Sequence, residues 1–148
     1  MRTLYLCRHA KSSWANPGQL DHERPLNERG LRDAPAMARF FHQRGEPIDL
    51  IVTSDAHRAL ATARCFAEEL SLGGERFRID PALYHASART IAALVARLPD
   101  EAPRVMLFGH NPGFTEAVDF FASEGPANMP TCGLARIDFP VRAWADTG

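Results

Sequence analysis

Short apolar runs alternate along the chain with stretches whose apolar residues recur at helical spacing. Residues 3–7, 50–53, 77–79, 105–109 and 134–139 are rich in Val, Ile, Leu or aromatic side chains and predict five strands. Between them lie four helical patterns. Over 30–44, Leu31, Ala34, Met37, Ala38 and Phe41 share one helical face, with Pro35 placed in the first turns, where proline is tolerated best. Residues 56–70 are rich in Ala and Leu and break at Gly73-Gly74. Residues 88–98 stop before Pro99, and 114–123 run from the Asn111-Pro112-Gly113 turn to Gly125-Pro126. The polar, turn-rich stretch 17–29 reads as a long loop over a site.

Strands this continuously apolar must be covered on both faces. Their alternation with helices predicts a mostly parallel sheet in a three-layer α/β/α sandwich. The chain has 148 residues, the usual size of one domain, so residues 1–148 are expected to form a single domain. There are no repeats and no low-complexity tract.

A net charge of −1 gives no general attraction to nucleic acid or to a membrane surface, so any anion must be recognised by a local cluster. Cys7, Cys65 and Cys132 are odd in number and far apart, which argues against a disulfide framework or a zinc knuckle and for a reducing cytoplasm. The apolar N-terminal run breaks at Arg8, unlike a signal peptide. No apolar run approaches the roughly 20 residues of a membrane span.

Ligands of open parallel α/β sheets bind outside the carboxyl ends of the strands. Arg8 and His9 follow the first strand. Ser54 follows the second, with Arg58 one helical turn on, and Gly109 and His110 follow the fourth. Two arginines and two histidines are thus predicted to converge, and the combination points to phosphoryl chemistry. Arginine offers a planar fork that matches phosphate oxygens in pairs. A neutral imidazole can attack phosphorus, and neighbouring guanidinium charge helps keep it neutral. A second, protonated histidine would donate to a phosphoryl oxygen. No carboxylate cluster suited to Mg²⁺ lies near these strand ends, so a mechanism without metal or cofactor is expected.

Taken singly, these residues have ordinary uses. An Arg-His pair at a strand end is usually surface, His110 suits a turn, and Arg58 suits an exposed helix face. The argument rests on the combination. His22, His42, His57 and His85 are read as structural or surface residues, and Cys7 as a core residue beside the site. A thiol phosphatase would need arginine at 13, where Ser13 stands.

The segments also resemble a known family. Leu6-Cys7-Arg8-His9-Ala10 resembles the Arg-His-Gly signature of the histidine phosphatase superfamily, whose fold is phosphoglycerate mutase-like. The segment from Ser54 to Ala63 resembles its Ser-Pro-x-x-Arg-Ala-x-x-Thr-Ala motif, and Gly109-His110-Asn111-Pro112 its second histidine segment. Three stretches resemble the small SixA-like branch of phosphohistidine phosphatases: Ala10-Lys11-Ser12-Ser13-Trp14, the segment from Asp21 to Gly30, and the segment from Met129 to Ala135. The resemblance implies that His9 is the phosphorylated nucleophile and that Arg8, Arg58 and His110 complete the phosphate pocket. Ser12 is a further candidate for substrate contact. Two departures stand out. Ala10 replaces the signature glycine, and Ala15 stands where many relatives carry an asparagine that touches phosphate.

Larger relatives take a proton donor from an insertion after the third strand. Here residues 80–87 offer no obvious acid, and Asp21 is the candidate. Without a strong acid, phosphohistidine or activated esters would be favoured over alkyl esters, because an imidazole can depart neutral. Lys11, Arg24 and Arg29 are candidate rim residues, with Arg29 read as solvent-facing and Arg24 as bracing its loop through Glu28. The expected activity is hydrolysis of a phosphorylated protein at phosphohistidine, or of a small phosphorylated metabolite. The alternatives are a mutase, disfavoured by the missing lid insertion, a metal-dependent hydrolase with His9 and His110 as ligands, and a non-catalytic phosphate-binding module.

Overall fold

The computed structural model describes residues 1–148. Five strands form one sheet: β1 (Arg2–Arg8), β2 (Leu50–Thr53), β3 (Phe77–Ile79), β4 (Arg104–Gly109) and β5 (Leu134–Phe139). Their order is β3-β2-β4-β1-β5, with β5 antiparallel to β1 and every other pairing parallel. Four helices connect them: α1 (Glu28–Gln43), α2 (His57–Leu70), α3 (Ala88–Ala96) and α4 (Gly113–Ala122). This is the mostly parallel, three-layer α/β/α architecture of the phosphoglycerate mutase-like fold.

Strand side chains alternate between two separate cores. Leu4, Leu6, Leu50, Val52, Val105 and Leu107 face α3, α4 and Trp144. Tyr5, Cys7, Ile51, Met106 and Phe108 face Ala38 and Phe41 of α1 and Ala63 and Phe66 of α2. With both faces covered, the central strands β1, β2 and β4 show no polar alternation. No helix is long and apolar enough to cross a membrane.

The ends of the helices differ from the sequence reading for local reasons. α1 starts two residues early because Asn27 caps it, its side chain accepting from the Gly30 amide at 2.9 Å. Pro35 therefore lies in the helix interior, not in the first turns. α2 ends at Leu70 as expected, and the residue that turns the chain is Ser71, left-handed with φ of 56°, ahead of the glycine pair. α3 stops two residues short of 98, consistent with the steric restriction that Pro99 places on the residue before it.

Phe66 is fully buried, with its ring centroid 5.0 Å from that of Phe108 and 6.3 Å from that of Phe41. Phe66→Ala should cost about 3–5 kcal/mol. Urea denaturation checks this as a lower midpoint at unchanged slope, and a loss below about 1 kcal/mol would show that α2 does not depend on this contact.

Candidate active site

The exit of β1 is clamped from three sides. Arg8 lies opposite Gly109 in the β1–β4 register, and the His9 amide donates to the Gly109 carbonyl at 3.0 Å. On the other side, Arg8 donates its amide to Gly133 and the His9 carbonyl accepts from Cys132, both at 3.0 Å. Thr62 closes the third side. Its hydroxyl accepts the Ala10 amide at 3.0 Å and donates to the Arg58 carbonyl at 2.7 Å. One threonine thus ties the residue after His9 to the helix turn that carries Arg58. Ser54 leaves β2 at the same edge, its amide on the Phe108 carbonyl at 3.0 Å.

This backbone brings the side chains together. The rings of His9 and His110 are 5.2 Å apart. His9 Nδ1 lies 2.7 Å from the Ala10 carbonyl, which can only accept, so the neutral ring carries its proton on Nδ1 and an unshared pair on Nε2. Burial lowers the His9 pKa to about 4, and the charges of Arg58, Arg8 and Arg24 add to the effect against the hydrogen bond to Ala10. His110 Nε2 lies 2.8 Å from Ser54 Oγ. Burial, then the nearby His9 and Arg58, lowers the pKa of His110 to about 2. Nε of Arg8, Nε of Arg58 and Nδ1 of His110 are buried with no hydrogen-bond partner in the protein. Buried donors of this kind call for an acceptor, and an oxyanion supplies several at once.

A sequence model of the histidine phosphatase superfamily (branch 1) matches residues 4–87. The chain belongs to that superfamily. Among solved structures it is similar to a protein from Agrobacterium tumefaciens described as the phosphohistidine phosphatase SixA, with 34% identity, 93% of this chain and 91% of that one covered, and a TM-score of 0.84. A mycobacterial glucosyl-3-phosphoglycerate phosphatase shares the fold at 20% identity and a TM-score of 0.73, covering 93% of this chain and 91% of its own. An uncharacterised protein of Mycobacterium tuberculosis is 31% identical over 94% of this chain and 90% of its own length.

Several expectations for this histidine phosphatase need correction. Asp21, the candidate proton donor, is held ionised. Partial burial opposes ionisation, but Tyr84 Oη donates to Oδ2 at 2.6 Å and Arg58 Nη2 at 2.9 Å, and these bonds with the Arg58 charge hold the carboxyl well below the usual carboxylate range. A carboxylate so committed has no proton to give. Ser12, the candidate substrate contact, accepts from Arg24 Nη1 at 2.9 Å and so braces a neighbouring side chain. Arg24 does not use Glu28. It binds Ser12, Asp21 and the Ser13 carbonyl, with its guanidinium 3.5 Å from the centre of the Trp14 ring. A protonated His110 does not fit the buried ring of this structure.

His85 and His22, read as structural or surface residues, stand beside the site. His85 Nε2 is 3.2 Å from Asp21 Oδ2, and its ring is 5.6 Å from that of His110. His22 packs edge-on against Tyr84, with Nε2 3.1 Å from Asp55 Oδ1. The signal for Tyr84 and His85 was their place after the carboxyl end of β3, the one parallel strand whose exit had been left out of the convergence. Lys11 is exposed, Arg29 pairs with Asp33 at 3.2 Å, and the Asn16 side chain accepts from Gly18 within its own loop. Ala10 has no positive φ, and its methyl packs with Leu26, Ala34 and Cys132 in place of the signature glycine.

The His9 environment carries a pH signature. An unfolded chain binds the proton near 6.5 and the folded one only near 4, so the stabilisation is complete above about pH 6.5 and drains as pH falls towards 4. That gap corresponds to roughly 3 kcal/mol, and His110 acts in the same direction. Urea unfolding between about pH 7 and about pH 4.5 should show His9→Asn losing less stability than the wild type. Equal losses would mean that His9 is not buried neutral.

Proposed function

We propose that this protein is a phosphatase acting through a phosphohistidine intermediate on His9, with protein phosphohistidine as its substrate. The observation that carries the reading is the Ala10 carbonyl, which fixes the His9 proton on Nδ1 and leaves the Nε2 pair for phosphorus. Nε2 forms a bond to phosphorus as the bond to the leaving group breaks. Water then attacks, the N–P bond breaks, and phosphate departs with His9 restored.

Arg8 and Arg58 bind the phosphoryl oxygens. Their guanidiniums, with that of Arg24, supply the charge neutralisation that a divalent cation supplies elsewhere, so the mechanism is metal-independent. His110 contributes while neutral. Ser54 Oγ already accepts from the Ala56 amide at 3.2 Å and gives its own hydrogen to His110 Nε2. The ring proton then sits on Nδ1, the nitrogen with no partner in the protein, and faces a phosphoryl oxygen.

A protein substrate is supported by an open rim. Only residues 80–87 separate β3 from α3, with no lid insertion. Trp14 and Leu20, on the loop that carries Arg24, are 72% and 68% exposed, offering apolar area to a docking protein. The similarity to the Agrobacterium protein points the same way. The free thiols of Cys7, Cys65 and Cys132 suit a reducing cytoplasm.

Incubation with a labelled phosphodonor should trap acid-labile, base-stable label, which His9→Ala abolishes. Label that survives in the variant refutes the nucleophile. Arg58→Ala should lower kcat/KM by about 10²–10³. A phosphohistidine peptide should turn over faster than a simple alkyl phosphate, because imidazole is the better leaving group. The reverse order would reject the protein substrate.

A further inference from the structure

We infer that His85 is the acid that protonates the leaving group and the base that receives the proton of the attacking water, an assignment that rests on the phosphatase reading above. Its position is built, not incidental. His85 adopts a left-handed φ of 50°, uncommon for a side chain other than glycine, and such outliers gather where function over-determines the backbone. The loop is seated from below by α4. A β-carbon on Gly113 would lie 1.9 Å from the Ala86 carbonyl oxygen, so only glycine lets the first turn of α4 meet the residue after His85. The ring is held from above by Asp21 and flanked by Tyr84, whose ring centroid is 4.0 Å away.

The other titratable groups at the site are committed. His9 is the nucleophile. His110 is buried and bonded to Ser54. Tyr84 gives its hydrogen to Asp21, and Asp21 is an ionised acceptor. His22 lies across Tyr84, against Asp55. His85 is the one imidazole beside the nucleophile pair that reaches solvent, with its side chain 55% exposed. The groups facing it are Asp21 and, through Asp21, Arg58, then Tyr84 and His110, and from α4 Glu116, which lines the same groove.

Asp21 takes the Nε2 hydrogen, so the proton that His85 exchanges sits on Nδ1. In the first step the His9 Nε2–P bond forms and the bond from phosphorus to the leaving atom breaks. Its electron pair stays on the leaving atom, which takes the Nδ1 proton. In the second step water attacks phosphorus, gives its proton to Nδ1 of the now neutral His85, and the N–P bond to His9 breaks. Protons and electrons balance over the two steps with no further reactant.

The test compares phenyl phosphate, a poor leaving group, with 4-nitrophenyl phosphate, a good one, by single-turnover phosphoenzyme formation. His85→Asn keeps a side chain that tolerates the left-handed backbone but cannot relay a proton. Expected is a loss of about 10²-fold or more with phenyl phosphate, less than about tenfold with 4-nitrophenyl phosphate, and disappearance of the basic limb of the phenyl phosphate pH profile. Equal loss on both esters, or no loss on either, overturns the assignment. His85→Gln, made in parallel, must reproduce the selective loss, and opposite behaviour of the two variants also overturns it. Wild-type protein that forms no label at His9 refutes the phosphatase reading first, and the role of His85 falls with it.

Discussion

A carbonyl oxygen cannot donate, and from that limit much of the site follows. At 2.7 Å the Ala10 carbonyl holds the one proton of neutral His9 on Nδ1, so the free electron pair is on Nε2 by construction. The arrangement works only if the backbone around it cannot turn. Gly109, Cys132, Gly133 and Thr62 hold the amides and carbonyl from Arg8 to Ala10, from three separate parts of the fold. Rotation of the 9–10 peptide would break the bonds to Thr62 on α2 and to the Cys132 amide. The His9 ring is therefore fixed by ordinary sheet and helix contacts, with no dedicated scaffold.

The same crowding sets the electrostatics. Three guanidiniums act on one imidazole, and in the resting protein only Asp21 answers them directly, binding Arg58 at 2.9 Å and Arg24 at 3.1 Å. Both Arg58 terminal nitrogens point at Asp21, one at its carboxylate and one at its carbonyl, while Nε is left without a partner. A phosphoryl group that engages Arg58 competes with Asp21 for the fork. In the proposed reaction Asp21 is a counter-ion that keeps the arginines ordered before a substrate anion arrives, a role that requires it to stay ionised.

The fold was largely legible because its central strands β1, β2 and β4 are buried on both faces, and that leaves a plain apolar signature. Arg8, His9, Arg58 and His110 could be brought together from sequence because strand ends are positions that topology fixes. What escaped depends on conformations that a sequence does not print. Nothing in the order Leu83-Tyr84-His85-Ala86 shows that His85 turns left-handed and folds back to Asp21, more than sixty residues earlier. Arg24 finds Ser12 and Trp14 through a loop that pairs with itself at Ser12 and Leu26, while the expected partner Glu28 is drawn into the first turn of α1. Thr62 stood in the motif from Ser54 to Ala63 without an assigned contact, and its hydroxyl is the tie between the residue after His9 and the helix turn of Arg58.

Three imidazoles lie within two short steps of one another, and environment sorts them. His9 and His110 are 7% and 3% exposed, and burial denies them a proton at neutral pH. His85 sits at the surface, its side chain 55% exposed and its Nε2 3.2 Å from the Asp21 carboxylate. The sheet creates this division. β1 and β4 end in its centre, beneath the loop that carries Asp21, while β3 is an edge strand whose exit loop reaches the rim. A phosphoryl transfer needs a neutral nucleophile and a proton source close together. In the proposed mechanism the two differ in depth, not in residue type.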